Sequence, residues 1–321
     1  MEKILEKITM GKGSGFGKTI LFGEHFVVYG LPAMASAIGD STLAEVKITG
    51  GSDYELFDNR PEVPGYKEQK YEEQKVSIKN IFDYMGLDIN KNHVNITLGG
   101  KLVCASGVGA SAASCVAIAR AISDELKTGW DNHKINEAAY EGEKGYHGTP
   151  SGIDNTASTF GGLVYFVKNL EGGPNTMETI KLAKPVEMVI ASSGMTANTS
   201  VVVADVRKKK EENPEWFNKI ITDYKKLIVE ARKALEEMDL QKVGKLMNEN
   251  HNLLQQLTVS NEVLDKMVKI ARDAGALGAK VTGTGRGGNI NVLTPGKELQ
   301  DKVYSALINA GYSAWKTKIG V

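Results

Sequence analysis

The stretch VCASGVGASAASCVAIARAISDEL, residues 103–126, is a glycine-punctuated turn that runs directly into a helix of small residues. The first N–H groups of a helix lack intrahelical partners and carry partial positive charge from the helix dipole. Gly107, Gly109 and Ala110 keep the backbone narrow enough for an anion to approach those groups. Apolar residues then recur at spacings of three and four, which predicts one buried helical stripe. The stretch therefore predicts a phosphate-binding turn.

Two other interpretations of this turn remain open from the residues alone. Glycines before an alanine-rich helix also serve simply for tight packing. The letters GVGASA fit the dinucleotide pattern G-x-G-x-x-A, which requires an acidic residue about 20 positions later, at the end of a second strand. Asp124 and Glu125 come too early and lie inside the same predicted helix. The pattern therefore favours phosphate over a dinucleotide.

The composition of the whole chain excludes several classes of function. The 321 residues include 39 basic and 39 acidic side chains, so no excess of positive charge indicates a nucleic-acid partner. The first ten residues lack the apolar core of a signal peptide, and no apolar run is long enough to cross a bilayer. We expect a soluble, cytoplasmic protein with neither a nucleic-acid nor a membrane partner.

The cysteines and histidines argue against a zinc site. Cys104 and Cys115 flank the glycine turn without histidines at ligand spacing, and none of the five histidines pairs with another in an H-x-x-x-H pattern. We therefore expect buried thiols, and any metal should be held by oxygen.

Strand and helix patterns are mixed along the whole chain, which predicts an α+β protein. Residues 19–37 indicate two strands and a turn, Tyr71–Met85 a helix, and 134–144 a helix that ends at Gly145. A polar, glycine-rich segment over 169–184 suggests a domain boundary, so we predict domains over 1–180 and 181–321. The second contains a buried strand over Val186–Ser192 and a strand pair that brackets TGTGRGGN. Three helical patterns rich in Lys and Glu cover Trp216–Met238, Leu240–Leu257 and Glu262–Asp273.

The segment GKGSGFGKT, residues 11–19, nearly matches a P-loop. Lys12 stands where the first glycine of that pattern belongs, and strand-like residues follow where a P-loop requires a helix. Lys18 is then either a functional cation or an ordinary solvated charge at the start of a strand.

In the segment EGEKGYHGTPSGIDN, residues 141–155, Glu143 precedes a Gly-Thr-Pro-Ser-Gly loop and Asp154 follows it. Ser151 and Asp154 fit a capping box, which would explain the aspartate without any chemistry. Phosphoryl transfer from a nucleotide, however, needs a phosphate cradle, Mg²⁺ held by oxygen, a cation and a group that orients the hydroxyl. The chain offers residues 107–111 as the cradle, Ser111 and Glu143 as oxygen ligands, Lys18 as the cation and Asp154 as the base.

Four segments together resemble one family. ILFGEHFVVYG, ASGVGASAA, HGTPSGIDN and KVTGTGRGG, in this order, are similar to motifs of the GHMP kinase superfamily, and the resemblance spans nearly the full length. It implies an N-terminal domain of the ribosomal S5 domain 2-like type and a ferredoxin-like C-terminal domain, with the active site in the cleft between them. It also implies that ATP is the phosphoryl donor and Mg²⁺ the cofactor, and that the protein forms a homodimer, which is common in the family. The acceptor that the motifs imply is the primary hydroxyl of mevalonate, a small hydroxy acid.

The resemblance also implies roles for individual residues. Asp154 would accept the hydroxyl proton, Lys18 would stabilise developing charge, and Ser111 and Glu143 would bind Mg²⁺. The nucleotide phosphates would lie against Ala105, Ser106, Gly107, Val108, Gly109, Ala110 and Ser111. The alcohol pocket would be lined by Glu24, His25, Ser151 and Thr199.

The chain departs from the family pattern at a few positions. Phe16 and Val103 replace prolines, Ala105 and Ala110 replace a glycine and a serine, and Arg286 interrupts a run of glycines. Arg286 adds bulk and charge where backbone normally passes close to substrate or nucleotide. Two alternatives therefore stay open: a kinase acting on a sugar or another hydroxy acid, and a catalytically inactive sensor of the same fold.

Overall fold

The computed structural model describes residues 10–104, 107–195 and 197–321. Ten strands form in this part of the chain: β1 (Gly11–Phe22), β2 (Ala33–Gly50), β3 (Tyr54–Asp58), β4 (Asn92–Gly100), β5 (Leu163–Val167), β6 (Thr176–Ile180), β7 (Val186–Ser192), β8 (Gly278–Thr282), β9 (Asn289–Leu293) and β10 (Ser313–Ile319). The same residues form ten α-helices: α1 (Tyr66–Gln69), α2 (Tyr71–Met85), α3 (Ala110–Glu125), α4 (Asn132–His147), α5 (Ile153–Phe160), α6 (Thr199–Glu212), α7 (Pro214–Glu236), α8 (Leu240–Gln256), α9 (Glu262–Asp273) and α10 (Lys297–Asn309). The predicted α+β class is confirmed. None of the described helices is both long and apolar enough to cross a membrane.

The chain divides into two compact units. Among the described residues, the first unit comprises 10–17, 40–104 and 109–160, and the second comprises the remainder. The predicted boundary between residues 180 and 181 falls between β6 and β7, inside the second unit, and stays a prediction.

The first unit packs three helices on a small sheet. Strand β4 pairs antiparallel with β2 and parallel with β3, and α2, α3 and α4 contact one another. Side chains alternate along a strand, so one face of β2 and β4 supplies buried Val46 and Ile96, which pack with Ile81, Ile118 and Ala138 from the helices. This core fixes α3 and α4, the helices that carry the glycine turn and Glu143.

The glycines at the start of β1 let the strand lie directly on the backbone of α3. Gly11, Gly13 and Gly15 alternate along the strand, and a Cβ on Gly13 would lie 2.6 Å from the backbone nitrogen of Ala121. A Cβ on Gly15 would lie 3.0 Å from the Cβ of Val116 and closer still to a backbone oxygen of the helix. The P-loop interpretation is therefore excluded, because these glycines serve close packing and no helix follows them.

The prediction that helix α4 ends at Gly145 is wrong. The helix runs to His147, and a Cβ on Gly145 would lie 2.6 Å from the Cα of Ser77 on α2. Glycine in this helix therefore permits close contact between two helices rather than terminating one of them.

The second unit contains an antiparallel sheet. Strand β7 pairs with β10 and β9, β9 pairs with β8, and β5 joins the first residues of β2 to β6. The 3₁₀ turn Val27–Tyr29 and α7 are joined through the stacked rings of Phe26 and Tyr224, whose centroids are 3.7 Å apart. The Tyr224 hydroxyl donates to the carbonyl of Pro32 at 2.7 Å, so this buried phenol is satisfied.

Candidate active site

The glycine turn contains two residues in the left-handed backbone region. Gly107 and Gly109 have φ angles of +85° and +68°, which glycine adopts without a Cβ penalty. Gly109 is the N-cap of α3, and no side chain in the described residues caps the helix there. Ala110 and Ser111 follow in the first helical turn, so α3 presents its N-terminal dipole at this turn. Ala105 and Ser106, also assigned to this cradle, lie outside the described residues.

Sequence reasoning missed Arg60, which supports the start of α3. Its buried guanidinium donates to the carbonyl of Ala110 at 3.1 Å and to both carboxylate oxygens of Asp58, at 2.9 Å and 2.6 Å. Burial alone would raise the pKa of Asp58, but the hydrogen bonds and charge of Arg60 outweigh it and lower that pKa. Arg60, Lys67 and Ser111 also line one pocket together with Asp58, whose carboxylate pairs with both cations.

Glu143 is a buried carboxylate inside α4. Its side chain is 1% exposed, its Oε2 lies 3.7 Å from Nε2 of His147, and the Cys115 thiol donates to its Oε1 at 3.9 Å. Burial, and then the charge of Glu143, raise the pKa of Cys115 well above its usual value, so this cysteine stays a thiol. The prediction that Cys104 and Cys115 are buried thiols is confirmed.

The hard oxygens of Ser111 and Glu143 fit Mg²⁺ by their chemistry. Mg²⁺ is typically held by one or two protein oxygens, with phosphate oxygens and water completing its octahedron. The described residues contain no cluster of three or more His, Cys, Asp or Glu side chains that would form an all-protein cage. Ser111 lies on α3 and Glu143 on α4, and the two residues line different pockets, so their pairing as ligands of one metal stays a prediction.

One pocket of the first unit brings together Glu143 and Asp154, the two carboxylates of the segment 141–155 that are assigned to the site. We call it the Asp154 pocket, and it is lined by Glu143, His147, Thr149, Pro150, Ser151, Gly152, Asp154 and Asn155. Asp154 lies in the first turn of α5, and the Ile153 amide donates to Ser151 Oγ at 3.4 Å. Nearby, the buried amide of Asn155 donates to Asn136 Oδ1 at 2.8 Å, which anchors α5 to α4. The serine thus supports the helix start while Asp154 faces the pocket.

Lys18 is a buried residue of β1 in the second unit. It is 6% exposed, and its amide donates to the carbonyl of Val108 at 2.8 Å. The interpretation of Lys18 as a solvated surface charge is therefore wrong. The backbone bond attaches the strand directly to the glycine turn.

Glu24 is placed differently from the other residues assigned to the alcohol pocket. Its side chain is fully buried and forms a short ion pair with the equally buried Lys280, which also donates to the carbonyl of Val281 at 2.6 Å. Burial lowers the pKa of Lys280, and the charge of Glu24 opposes that shift. Lys280 precedes the TGTGRGG loop, so the pair joins the GEH segment to that loop. No sequence signal identifies this partner, because 256 positions separate the two residues.

His25 and Thr199 both contact Thr284 in the same loop. His25 Nε2 lies 2.6 Å from the Thr284 carbonyl, which requires that this nitrogen carry the proton and donate. Burial lowers the pKa of His25, and the positive charge of Arg286 contributes to the same direction. The Thr199 hydroxyl lies 2.6 Å from the Thr284 hydroxyl. The loop therefore holds two residues assigned to the alcohol pocket.

A glycine turn at a helix start, a buried carboxylate and an aspartate in a pocket are the parts predicted from the sequence for a small-molecule kinase. Family models agree: GHMP kinases N terminal domain matches residues 75–162, and GHMP kinases C terminal matches residues 231–314. The chain belongs to the GHMP kinase family.

Several relatives and solved structures are similar along nearly the whole chain. A mevalonate kinase of Thermococcus onnurineus is 35% identical over 94% of each chain, and one of Thermococcus gammatolerans is 34% identical over 94% of each. The crystal structure of L. major mevalonate kinase in complex with R-mevalonate has a TM-score of 0.93 at 37% identity, covering 99% of this chain and 98% of that one. The predicted family and two-domain fold are confirmed.

Proposed function

We propose that the protein transfers the γ-phosphoryl group of ATP to the primary hydroxyl of mevalonate, releasing ADP and 5-phosphomevalonate. The observation that carries the proposal is the Asp154 pocket, because Asp154 and Glu143 line it together with the loop residues Thr149–Gly152. The likeness to the L. major enzyme, solved with R-mevalonate, supports the choice of acceptor.

The nucleotide phosphates are assigned to the glycine turn. Backbone N–H groups of residues 107–111 and the dipole of α3 favour an anion there, and Arg60 holds the same helix start through the Ala110 carbonyl. Ala105 and Ser106 are assigned to this cradle from the resemblance alone. Ser111 and Glu143 would hold Mg²⁺, which when bound neutralises charge on the phosphate oxygens.

Asp154 is assigned as proton acceptor. The acceptor hydroxyl gives its proton to the Asp154 carboxylate as its oxygen forms a bond to the γ-phosphorus, and the bond to the β-phosphate oxygen breaks. Lys18 stabilises the negative charge that develops on the transferred group. Carboxylate and cation act here through fixed positions, so the chemistry depends on a rigid site.

The acceptor is assigned to His25, Ser151 and Thr199. Hydroxyl and imidazole groups suit the hydroxyl and carboxylate oxygens of a small hydroxy acid. Glu24 contributes indirectly, because its buried pair with Lys280 fixes the loop that contacts His25.

We also propose a cytoplasmic homodimer with neither a nucleic-acid nor a membrane partner. The balanced charge of the chain supports the absence of a nucleic-acid partner.

A substrate panel tests the proposal. Purified protein is mixed with ATP, Mg²⁺ and in turn mevalonate, galactose, homoserine or no acceptor, and ADP release is followed together with the phosphorus NMR signal of the product. We expect ADP release only with mevalonate and a phosphomonoester on its primary carbon. Turnover with a sugar but not mevalonate would contradict the acceptor, and binding of mevalonate without turnover would favour the sensor alternative.

A further inference from the structure

Arg286 holds a backbone conformation that favours glycine. Its φ angle is +54°, in the left-handed region where a side chain is disfavoured, and it interrupts the glycine run of the TGTGRGG loop. Neighbouring Gly285 and Gly288 also have positive φ. An arginine in this position therefore needs contacts that offset the unfavourable backbone.

The side chain of Arg286 turns toward α6 and the end of α8. Its amide donates to the carbonyl of Val259 at 2.8 Å, and its Nε donates to the carbonyl of Thr258 at 2.8 Å. Its Nη2 forms a short ion pair with the carboxylate of Asp205 on α6. The arginine thus bridges the loop, the residues after α8 and α6.

Lys209 completes the network around Asp205. Its ammonium lies 3.2 Å from the Asp205 carboxylate and donates to the Thr258 hydroxyl at 2.7 Å. Hydrogen bonds, first from Arg286 and then from Lys209, lower the pKa of Asp205 and keep it ionised at neutral pH. Two cations and a shared threonine therefore fix this carboxylate.

Helix α6 is consequently attached to the loop at two places. Its first residue, Thr199, contacts Thr284 through their hydroxyls, and Asp205 pairs with Arg286 about 1.7 turns later. Between these attachments, the side chain of Val202 is buried, so the helix also packs against the rest of the second unit. The carbonyl of Thr284 also contacts His25, so a shift of the loop moves both acceptor residues.

We propose that Arg286 and Asp205 are positioning residues for the acceptor, which keep Thr199 and His25 in place by fixing α6 on the loop. This inference rests on the proposed function for its substrate. Neither residue is assigned to touch ATP or the reacting atoms, so their loss weakens acceptor binding more than nucleotide binding.

The test compares Arg286→Gly, Asp205→Asn and the double variant with a matched control. Glu212→Gln removes another ion pair of α6, in which Lys208 Nζ and Glu212 Oε1 are 3.8 Å apart and both side chains are largely exposed. We expect KM for mevalonate to rise about tenfold in each test variant, with KM for ATP changed less than about twofold and no further rise in the double variant. Glu212→Gln should behave as wild type, and Arg286→Lys should recover part of the loss, because it keeps the charge facing Asp205.

Hydrogen–deuterium exchange of the substrate-free protein gives a readout that does not depend on turnover. Amides of α6 should exchange faster in Arg286→Gly and Asp205→Asn than in wild type or Glu212→Gln. Unchanged exchange with unchanged KM for mevalonate would overturn the inference while leaving the proposed function intact. An equal rise of both KM values would also overturn it, because it would indicate general loosening. A wild-type protein that does not phosphorylate mevalonate would instead refute the proposed function. The exchange data would still test whether Arg286 and Asp205 hold α6 on the loop.

Discussion

Replacing Gly13 by alanine should separate β1 from α3. The added Cβ would lie 2.6 Å from the amide nitrogen of Ala121, 2.8 Å from the Cβ of Arg120 and closer still to the carbonyl oxygen of Ala117. Ordinary van der Waals contact begins at 3.4 Å, so relieving the contact with the Ala121 nitrogen requires about 0.8 Å of separation, and relieving the contact with the Ala117 oxygen requires more. Overpacking of this kind costs about 1–3 kcal/mol. We expect about 3 kcal/mol, because the clashing atoms belong to a helix backbone that cannot rotate away.

Urea unfolding measures this cost, and Gly99→Ala is the matched control. Gly99 is also a strand glycine of the first unit, and a Cβ there would meet no atom within 4 Å. The control should change the free energy of unfolding by less than about 0.5 kcal/mol. Gly13→Ala should also raise KM for ATP, since α3 carries the glycine turn at its start. If Gly13→Ala unfolds at the same urea concentration as the control, α3 does not rest on the β1 backbone and the packing argument is refuted.

Three further changes test the buried charges. Lys280→Met should lower the free energy of unfolding, measured in urea, by about 3–5 kcal/mol, because Glu24 is left buried without its cation. Adding Glu24→Gln to this variant should recover most of the lost stability. Burial, and then nearby Arg272, lower the pKa of His251 to about 4. Below about pH 6.5 the unfolded chain binds a proton at this histidine and the folded protein does not, so the free energy of unfolding should fall by roughly 3 kcal/mol between pH 6.5 and 4. Urea unfolding of His251→Gln across the same range should not show this fall. Arg60→Met should raise KM for ATP about tenfold in steady-state kinetics, leaving KM for mevalonate unchanged, because the start of α3 loses its support.

Each of these has a contradicting result. A double variant no more stable than Lys280→Met would mean that the ion pair is not what the single change disrupts. A parallel acid response in wild type and His251→Gln would assign the response to other groups. An equal effect of Arg60→Met on both KM values would remove its link to the nucleotide.

Local patterns predicted much of the fold. The helices Tyr71–Met85 and Glu262–Asp273 and the strand Val186–Ser192 have the bounds expected from their apolar spacing, because each buries one regular face. The helix Thr199–Glu212 was not predicted, since its last two turns are rich in lysine and glutamate and Val201 is exposed. The strand Ser313–Ile319 was also missed, because only Thr317 and Ile319 are buried.

The parts of the site that escaped prediction depend on pairs distant in sequence. Arg60 supports Ala110 from 50 positions away, and Lys280 meets Glu24 across 256 positions. A spacing rule applies only within one helix or strand, so it cannot identify such partners. Arg286 was noticed as a departure from the glycine pattern, yet only its contacts with Asp205 and Thr258 indicate what the side chain does.

The most direct test of the central claim is the pre-steady-state rate of ADP formation in the first turnover of Asp154→Asn at saturating ATP, Mg²⁺ and mevalonate. The amide keeps the shape of the side chain but cannot accept the hydroxyl proton. We therefore expect the rate to fall by about 10²- to 10⁴-fold while the Kd for ATP changes less than about twofold, and Asp273→Asn, an exposed charge removal, should match wild type. A rate for Asp154→Asn within a few-fold of wild type would contradict its assignment as proton acceptor and the catalytic account built on it.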